Sequence, residues 1–134
     1  MSKPLFKVNV SVIIKNQDDE ILMIKRADDE EVFPGYWGIP GGTVEPTDAS
    51  LEAALSRECQ EEVGVEIGDI SLLSNDISNK GDDRGALYLV YTATYKAGSP
   101  KPLDGTAEVK WLNIETIRTL NLTPMTMELI DSCR

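Results

Sequence analysis

The stretch that decides the fold is residues 42–65, GTVEPTDASLEAALSRECQEEVGV. Its second part, residues 50–63, has the pattern of an amphipathic helix. Ser50 is suited to cap the N-terminus, and Gly64 stands where a helix stops. An apolar residue recurs every four positions and forms one stripe, made of Leu51, Leu55, Cys59 and Val63. A helix with one apolar stripe packs against the rest of a domain, so this segment predicts a helix lying on a sheet.

Three glutamates crowd one side of this helix. At about 100° per residue, Glu58, Glu61 and Glu62 fall within an arc of roughly 100°. Glu62 lies near the angle of Leu55, so part of the cluster faces the protein. Crowding and burial of like charges are unfavourable, and a hard divalent cation with oxygen ligands offsets both, while Arg57 can orient a carboxylate. The alternative for the bare motif is a solvated acidic face, because glutamate is a good helix former.

The segment before the helix, residues 36–45 (YWGIPGGTVE), brings glycines that let the backbone approach a ligand and a carbonyl that can bind a metal. Together with residues 42–65 it resembles the Nudix box, G-x5-E-x7-R-E-U-x-E-E-x-G-U, where U is aliphatic. Residues 57–65 match every fixed position, with Cys59 in an aliphatic slot. One extra residue in the loop places Asp48 where the box has glutamate. In the family that acid braces the loop on the helix, so we expect Asp48 to do this, against Arg57.

The resemblance implies a single domain over residues 1–134, an α/β fold of the Nudix type in which a mixed β-sheet lies between helices as an α/β/α sandwich. It also implies attack by water on a phosphorus of a diphosphate bridge, at a Mg²⁺ site with Mn²⁺ as the alternative ion. The metal ligands it implies are the carbonyl of Gly41 and the side chains of Glu58, Glu61 and Glu62. The catalytic residues it implies are these glutamates, Arg57, and an acid from a later loop, Asp104 or Glu108. Ordinary surface acids are the alternative for those last two.

Five residues are candidates for substrate binding: Arg26, Trp37, Gly42, Arg84 and Asn121. Trp37 and the nearby Phe33 and Tyr36 could stack on a base, with core or loop packing as an equal alternative. Arg26 could meet phosphates and Arg84 could fold over a substrate, although a solvated arginine is the commoner outcome for Arg84. Asn121 lies in a region that resembles the place where MutT-like members read the base. Its amide can donate and accept, but a cap or turn role is commoner.

Composition narrows the function classes. The 134 residues are 41% hydrophobic and 27% charged, which is typical of one globular domain. A net charge of −10 disfavours a long nucleic acid as partner. The absence of histidine excludes Ser-His-Asp and Cys-His catalysis, and two distant cysteines exclude a disulfide framework. With no apolar run of about 20 residues and no secretory pattern at the start, we expect a cytoplasmic protein without a membrane partner.

Outside the helix, patterning predicts strands over 8–14, 20–26, 70–73, 87–95 and 109–112, and helices over 114–120 and 125–132 with Pro124 at a helix start. Residues 27–35, 75–85 and 97–105 read as loops, and the polar 75–85 stretch as a mobile one. The apolar residues of the last helix fit either a core or a dimer contact. Both a monomer and a homodimer therefore remain open.

The function that the resemblance implies is hydrolysis of the pyrophosphate linkage in a nucleoside diphosphate joined to another moiety. A (d)NTP or modified nucleotide giving NMP and pyrophosphate is the first expectation, and a small-molecule nucleotide is the expected partner. An ADP-ribose or other nucleotide-sugar pyrophosphatase is the alternative within the class. A non-catalytic nucleotide-binding regulatory module is the alternative from another class, and the complete set Arg57, Glu58, Glu61, Glu62 and Gly64 argues against it.

Overall fold

The computed structural model of the protein describes residues 3–79 and 84–133. In chain order the elements are β1 (Leu5–Lys15), β2 (Ile21–Arg26), β3 (Trp37–Gly38), β4 (Gly41–Thr43), α1 (Leu51–Val63), β5 (Glu66–Asn79), β6 (Arg84–Ala97), β7 (Thr106–Leu112), α2 (Ile114–Ile117) and α3 (Thr126–Ser132). No helix within these residues is long and apolar enough to cross a membrane.

The sheet is mixed, and β1 is central to it. In the described part of the chain seven strands join one sheet, in which β1 runs parallel to β6, and β6 pairs antiparallel with the edge strand β5. The second edge of β1 is divided between β4, which pairs with residues 9–11, and β2, which pairs at Lys15. β2 in turn pairs with β3 and β7. This division brings the glycine strand β4 directly beside β1.

Helices cover both faces of the sheet, because strand β2 has apolar side chains on both faces. Its alternate residues Leu22 and Ile24 belong to the core cluster under α1, while Ile21 and Met23 belong to the cluster under α2 and α3. Successive strand residues point to opposite faces, so a continuous apolar run is stable only where both faces are covered. The predicted α/β/α sandwich with a mixed sheet between helices is confirmed.

Helix α1 begins and ends where the sequence predicted. The Ser50 hydroxyl accepts a hydrogen bond from the Ala53 N–H at 3.0 Å, and Gly64 takes a left-handed φ of 71° that lets its N–H reach the last carbonyls of the helix. The predicted stripe is wrong at Leu51, which is 37% exposed, whereas Leu55 is fully buried. Helical side chains lean toward the N-terminus, so the side chain of the first helical residue extends past the end of the helix.

The prediction of a loop over 75–85 is wrong within the described residues. β5 runs to Asn79 and β6 starts at Arg84, and the two stay paired up to Asn79 beside Gly85. Residues 80–83 lie outside the described residues. The polar composition of this hairpin misled the prediction, because cross-strand backbone hydrogen bonds form whatever the side chains are.

Smaller differences affect the other boundaries. Strands β1, β5, β6 and β7 are each longer than predicted, and the two short strands β3 and β4 are not among the predicted elements. The helix expected over 114–120 ends at Ile117, and α3 begins at Thr126, after Met125 in a left-handed conformation, so Pro124 precedes the helix. Ends of this kind depend on tertiary pairing more than on local pattern.

The different environments of two leucines on α1 give a direct stability test. Leu55→Ala should lower the free energy of unfolding by about 2–5 kcal/mol, because it removes a fully buried side chain from a packed core. Leu51→Ala, one turn earlier, should lower it by less than about 1 kcal/mol. Urea unfolding followed by circular dichroism measures both. Equal losses for the two variants would contradict the packing described for α1.

Candidate active site

The guanidinium of Arg57 ties residues 41–48, the glycine loop, to helix α1. Its Nε and Nη2 donate to the two carboxylate oxygens of Asp48, both at 2.9 Å, and Nη2 also donates to the Thr43 carbonyl at 3.2 Å. Asp48 accepts a further hydrogen bond from the Glu45 N–H at 2.8 Å, which closes a turn over 45–48. A bidentate ion pair of this kind fixes the orientation of the two side chains as well as the distance between them. The shorter Asp48 thus lies where it braces the loop on the helix.

The acidity of Asp48 follows from these contacts. The hydrogen bonds from Arg57 and from the Glu45 N–H lower the pKa of Asp48 to about 2. The same pairing raises the pKa of the Arg57 guanidinium above its already high value. Both groups are therefore charged at every physiological pH, and the Asp48 side chain is only 7% exposed.

Arg57 also contacts two of the three helix glutamates. Its Nη1 donates to Glu58 at 2.9 Å and to Glu61 at 3.1 Å. Glu58 is 16% exposed, and its burial raises its pKa, while Glu61 is half exposed. The cation offsets the repulsion between these carboxylates, which would otherwise disfavour their close approach.

The third glutamate, Glu62, faces inward and touches the glycine loop. The Gly41 N–H donates to Glu62 Oε1 at 3.0 Å. Burial raises the pKa of Glu62 to about 7; the Gly41 hydrogen bond and the charge of Arg26 oppose the rise, and the charges of Glu58 and Asp104 add to it. Glu62 is therefore a carboxylate held in a poorly hydrated position, surrounded by groups of both signs.

Gly41 and Gly42 lie too close to neighbouring atoms for any other residue to fit. A Cβ on Gly41 would lie 2.4 Å from the Val10 carbonyl oxygen, and a Cβ on Gly42 would lie 2.2 Å from Glu58 Oε2. Neither position has room for a side chain. The loop backbone therefore lies directly against β1 on one side and against the acidic cluster on the other.

A cleft of about 720 Å³ opens beside this cluster, and four predicted site residues line one part of it: Arg26, Gly41, Gly42 and Glu62. Residues of β1, β5 and β6, most of them polar, form its floor, and Phe33 and residues 123–126 contribute to its walls. The cleft is large enough for a small organic ligand, and a carboxylate with a raised pKa borders it.

The NUDIX domain family model matches residues 5–131. This chain belongs to the NUDIX domain family. A MutT-like protein of Streptomyces ambofaciens is 28% identical over 131 residues, which span 98% of this chain and 79% of that protein. The nucleoside triphosphatase NudI of Escherichia coli strain K12 is 48% identical over 58 residues, 43% of this chain and 40% of NudI.

Solved structures give the same fold. The NUDIX domain of Shewanella oneidensis NrtR, in complex with ADP ribose, has a TM-score of 0.81 at 24% identity, covering 97% of this chain and 87% of that one. Family membership and the MutT-like and NudI relatives together indicate a Nudix pyrophosphohydrolase. Nudix hydrolases generally use divalent cations.

The oxygen atoms in this acidic cluster are of the kind that binds a divalent cation, but they are not arranged as a preformed metal site. Among residues 3–79 and 84–133, no three side chains that could ligate a metal are already arranged around one point. Arg57 explains this, because it draws Glu58 and Glu61 onto its own N–H groups. Carboxylate and carbonyl oxygens are the ligands that hard cations prefer, so the cluster could hold one if these glutamates left Arg57.

Three other predicted substrate residues, Trp37, Asn121 and Arg84, are not among the residues that line the cleft. Trp37 is 9% exposed and packs in the core under α2 and α3, because it pairs with Lys25 of β2 and so lies on the same face of the sheet as Ile21 and Met23. Its ring is therefore a core side chain rather than a surface on which a base stacks. Asn121 is exposed, and its carbonyl accepts from the Trp37 N–H at 2.8 Å, a backbone role. Arg84 opens strand β6 beside Leu5 rather than lying in a loop.

The two later acids differ in their surroundings. Glu108 lies on β7, with its carboxylate 3.6 Å from the Lys25 amine and 3.4 Å from the Lys110 amine. Asp104 lies in the loop just before β7, close enough for its charge to raise the pKa of Glu62. Its neighbour Leu103 donates its N–H to the Glu62 carbonyl at 3.0 Å.

None of the residues that form the cleft floor is predicted by the sequence. Its residues include Asn9, Ser11, Ser74, Asp76 and Tyr88. The available signal was the alternation of polar and apolar residues along β1, where Asn9 and Ser11 alternate with valines, whereas β5 and β6 have no such alternation at the cleft. It could not be used without the register, because only strand pairing shows which alternating residues share one face.

The Asp48–Arg57 pair predicts a specific pH dependence of stability. The folded protein holds the pKa of Asp48 near 2, below the ordinary value of 3.8, so the folded state binds fewer protons than the unfolded one in that range. Asp48 therefore stabilises the fold above about pH 4, and this contribution is lost as the pH falls toward about 2. Asp48→Asn should be less stable than the unaltered protein at pH 7, and the difference should shrink as pH falls from about 4 to 2.

Urea unfolding at a series of pH values measures this difference. The matched control is Asp18→Asn in the exposed turn before β2, which should stay close to the unaltered protein throughout. A stability gap for Asp48→Asn that is constant from pH 7 down to pH 2 would contradict the account of the pair.

Proposed function

We propose that this chain hydrolyses the pyrophosphate linkage of a nucleoside triphosphate to a nucleoside monophosphate and pyrophosphate, with Mg²⁺ as the cation. The observation that supports this most is the position of Glu62. Its buried carboxylate lies at the glycine loop and borders a cleft large enough for a nucleotide, with two further glutamates on the same helix. The relation to NudI, named a nucleoside triphosphatase, supports a triphosphate as substrate.

The metal ligands in this proposal are the carboxylates of Glu58, Glu61 and Glu62 and the carbonyl of Gly41. When bound, Mg²⁺ neutralises the phosphate oxygens and lowers the pKa of water at the site. Arg57, through its pair with Asp48, would keep the loop fixed on the helix, and the ion would take the place of the Arg57 N–H groups as the partner of Glu58 and Glu61.

The remaining groups position the substrate and accept the proton. Arg26, at the cleft and in the field of Glu62, suits the phosphate chain, because a guanidinium matches phosphate geometry. Of the predicted aromatic candidates, Phe33 lines the cleft and is 41% exposed, so its ring can contact a ligand there, whereas Trp37 is buried. For the proton of the attacking water, Asp104 is preferred over Glu108, since Glu108 is paired with two lysines.

A second substrate class is kept because of one comparison. The NrtR domain with the same fold was solved with ADP ribose, which also contains a diphosphate bridge between two moieties. A panel of nucleoside triphosphates and ADP-ribose, with and without Mg²⁺, separates the two by the products released. Turnover of ADP-ribose alone would overturn the triphosphate proposal. Binding of nucleotides without Mg²⁺-dependent hydrolysis of any member would favour a regulatory module.

The metal cluster predicts the effect of removing one charge. Glu62→Gln should lower turnover by on the order of 100-fold, the scale for losing one electrostatic stabiliser of a transition state. It should also weaken Mn²⁺ binding measured by calorimetry or by the paramagnetic signal of the ion. Glu52→Gln, an exposed glutamate in the first turn of the same helix, is the matched control and should change neither. Normal Mn²⁺ binding by Glu62→Gln would exclude Glu62 as a ligand.

The two later acids can be told apart by the same approach. Asp104→Asn should lower kcat by about 100-fold or more, the usual size of a general-base contribution, while the fold remains intact. Glu108→Gln should change kcat by less than about threefold, because the Glu108 carboxylate is paired with two lysines on the sheet. If both variants retain full kcat, the proton acceptor lies among the glutamates of α1.

A further inference from the structure

Strand register places a row of small residues across the cleft floor. Ser11 lies beside Gly41 of β4 on one side and beside Val90 of β6 on the other, and Val90 lies beside Ser74 of β5. Directly paired residues share one face of a sheet, so these four residues form one line across four strands. Three strand spacings of about 4.8 Å make this line about 14 Å long. Because its side chains are small or absent, it forms a groove.

The next row along the strands is taller. Asn9 pairs with Thr43 on one side and with Tyr88 on the other, and Tyr88 pairs with Asp76. Tyr88 is 45% exposed, and it lines the cleft together with Asn9 and Asp76. An exposed aromatic ring that stands above a groove of small side chains offers a flat surface on which a planar base can stack.

The two ends of the groove differ in what they accept. One end is Gly41, whose N–H contacts Glu62 in the proposed metal site, so phosphates belong there. The far end is Ser74, next to Asp76, whose carboxylate repels phosphate but accepts hydrogen bonds. A nucleotide lying along the groove therefore points its base toward Asp76. The edge of the base farthest from the phosphates carries the amino group of cytosine or adenine, or the oxo group of uracil or hypoxanthine.

We propose that Asp76 sets base preference in this cleft, selecting nucleotides whose base presents an amino donor at its distal edge over those that present an oxo group. This inference rests on the proposed function for the position of the phosphates. The carboxylate accepts from an amino N–H, whereas a carbonyl in the same place brings two acceptors together with no proton between them. Tyr88 supplies stacking to either base, so it contributes affinity without selecting between them.

The test uses substrate pairs that differ at this edge alone, CTP against UTP and ATP against ITP, each with Mg²⁺. The unaltered protein should favour the amino member of each pair by about tenfold in kcat/KM, the scale of one hydrogen bond to a charged group. Asp76→Asn should bring each ratio below about threefold, because an amide can donate to the oxo group. A uniform gain from removing a negative charge near phosphates cancels in the ratio.

The matched control is Asp69→Asn, the same change on the same strand. Its carboxylate contacts Thr94 and Lys96 instead of the cleft, so both ratios should stay unchanged. Ratios near one in the unaltered protein, or ratios that Asp76→Asn leaves unchanged, would overturn the role of Asp76 while leaving hydrolysis of triphosphates in place.

A binding measurement separates this inference from the proposed function. CMP and UMP are titrated into the unaltered protein and into Asp76→Asn by calorimetry, with no hydrolysis required. Tighter binding of CMP that disappears in Asp76→Asn supports the role of Asp76 even if no triphosphate is hydrolysed, in which case the proposed reaction is wrong. Equal binding of CMP and UMP by the unaltered protein overturns it.

Discussion

The site depends on the positively charged side chain of Arg57, which lies among carboxylates. Arg57 is bonded to Asp48 of the loop, to Glu58 and Glu61 of its own helix, and to a loop carbonyl. Without it, acidic groups gathered on one helix turn would repel one another and the loop would have no fixed position on the helix. A single guanidinium can do this because its five N–H donors point in fixed directions within one plane.

This arrangement also explains why the acidic cluster is not a preformed metal cage. Glu62 faces inward and is held by the glycine loop, while Glu58 and Glu61 are held by Arg57. In the proposed function the same carboxylates would hold the ion, so each of them would have a favourable partner both without the ion and with it. Asp48 keeps its pair with Arg57 throughout, which separates the structural part of the network from the part that binds.

The sheet contributes as much to the site as the helix does. Division of one edge of β1 between β4 and β2 brings the glycine strand beside β1. The same β1 is parallel to β6 along its whole length, so the cleft floor continues from the glycine loop to the sheet edge. Helix α1 therefore supplies the charged residues at one end of the cleft. Strand register determines which side chains line the other end. The proposed division of the groove into a phosphate end and a base end follows from this geometry.

The sequence by itself determined helix α1, both of its caps and the residues that crowd on it, because capping, helical periodicity and the Nudix box are local patterns within residues 42–65. It also indicated the pairing of Asp48 with Arg57, which the structure contains. Only the tertiary structure decided which alternating residues of β1, β5 and β6 share the cleft, and that Trp37 is a core residue. The physical reason is that a strand buries or exposes a side chain according to its register with partners distant in sequence, and a one-residue shift reverses every face.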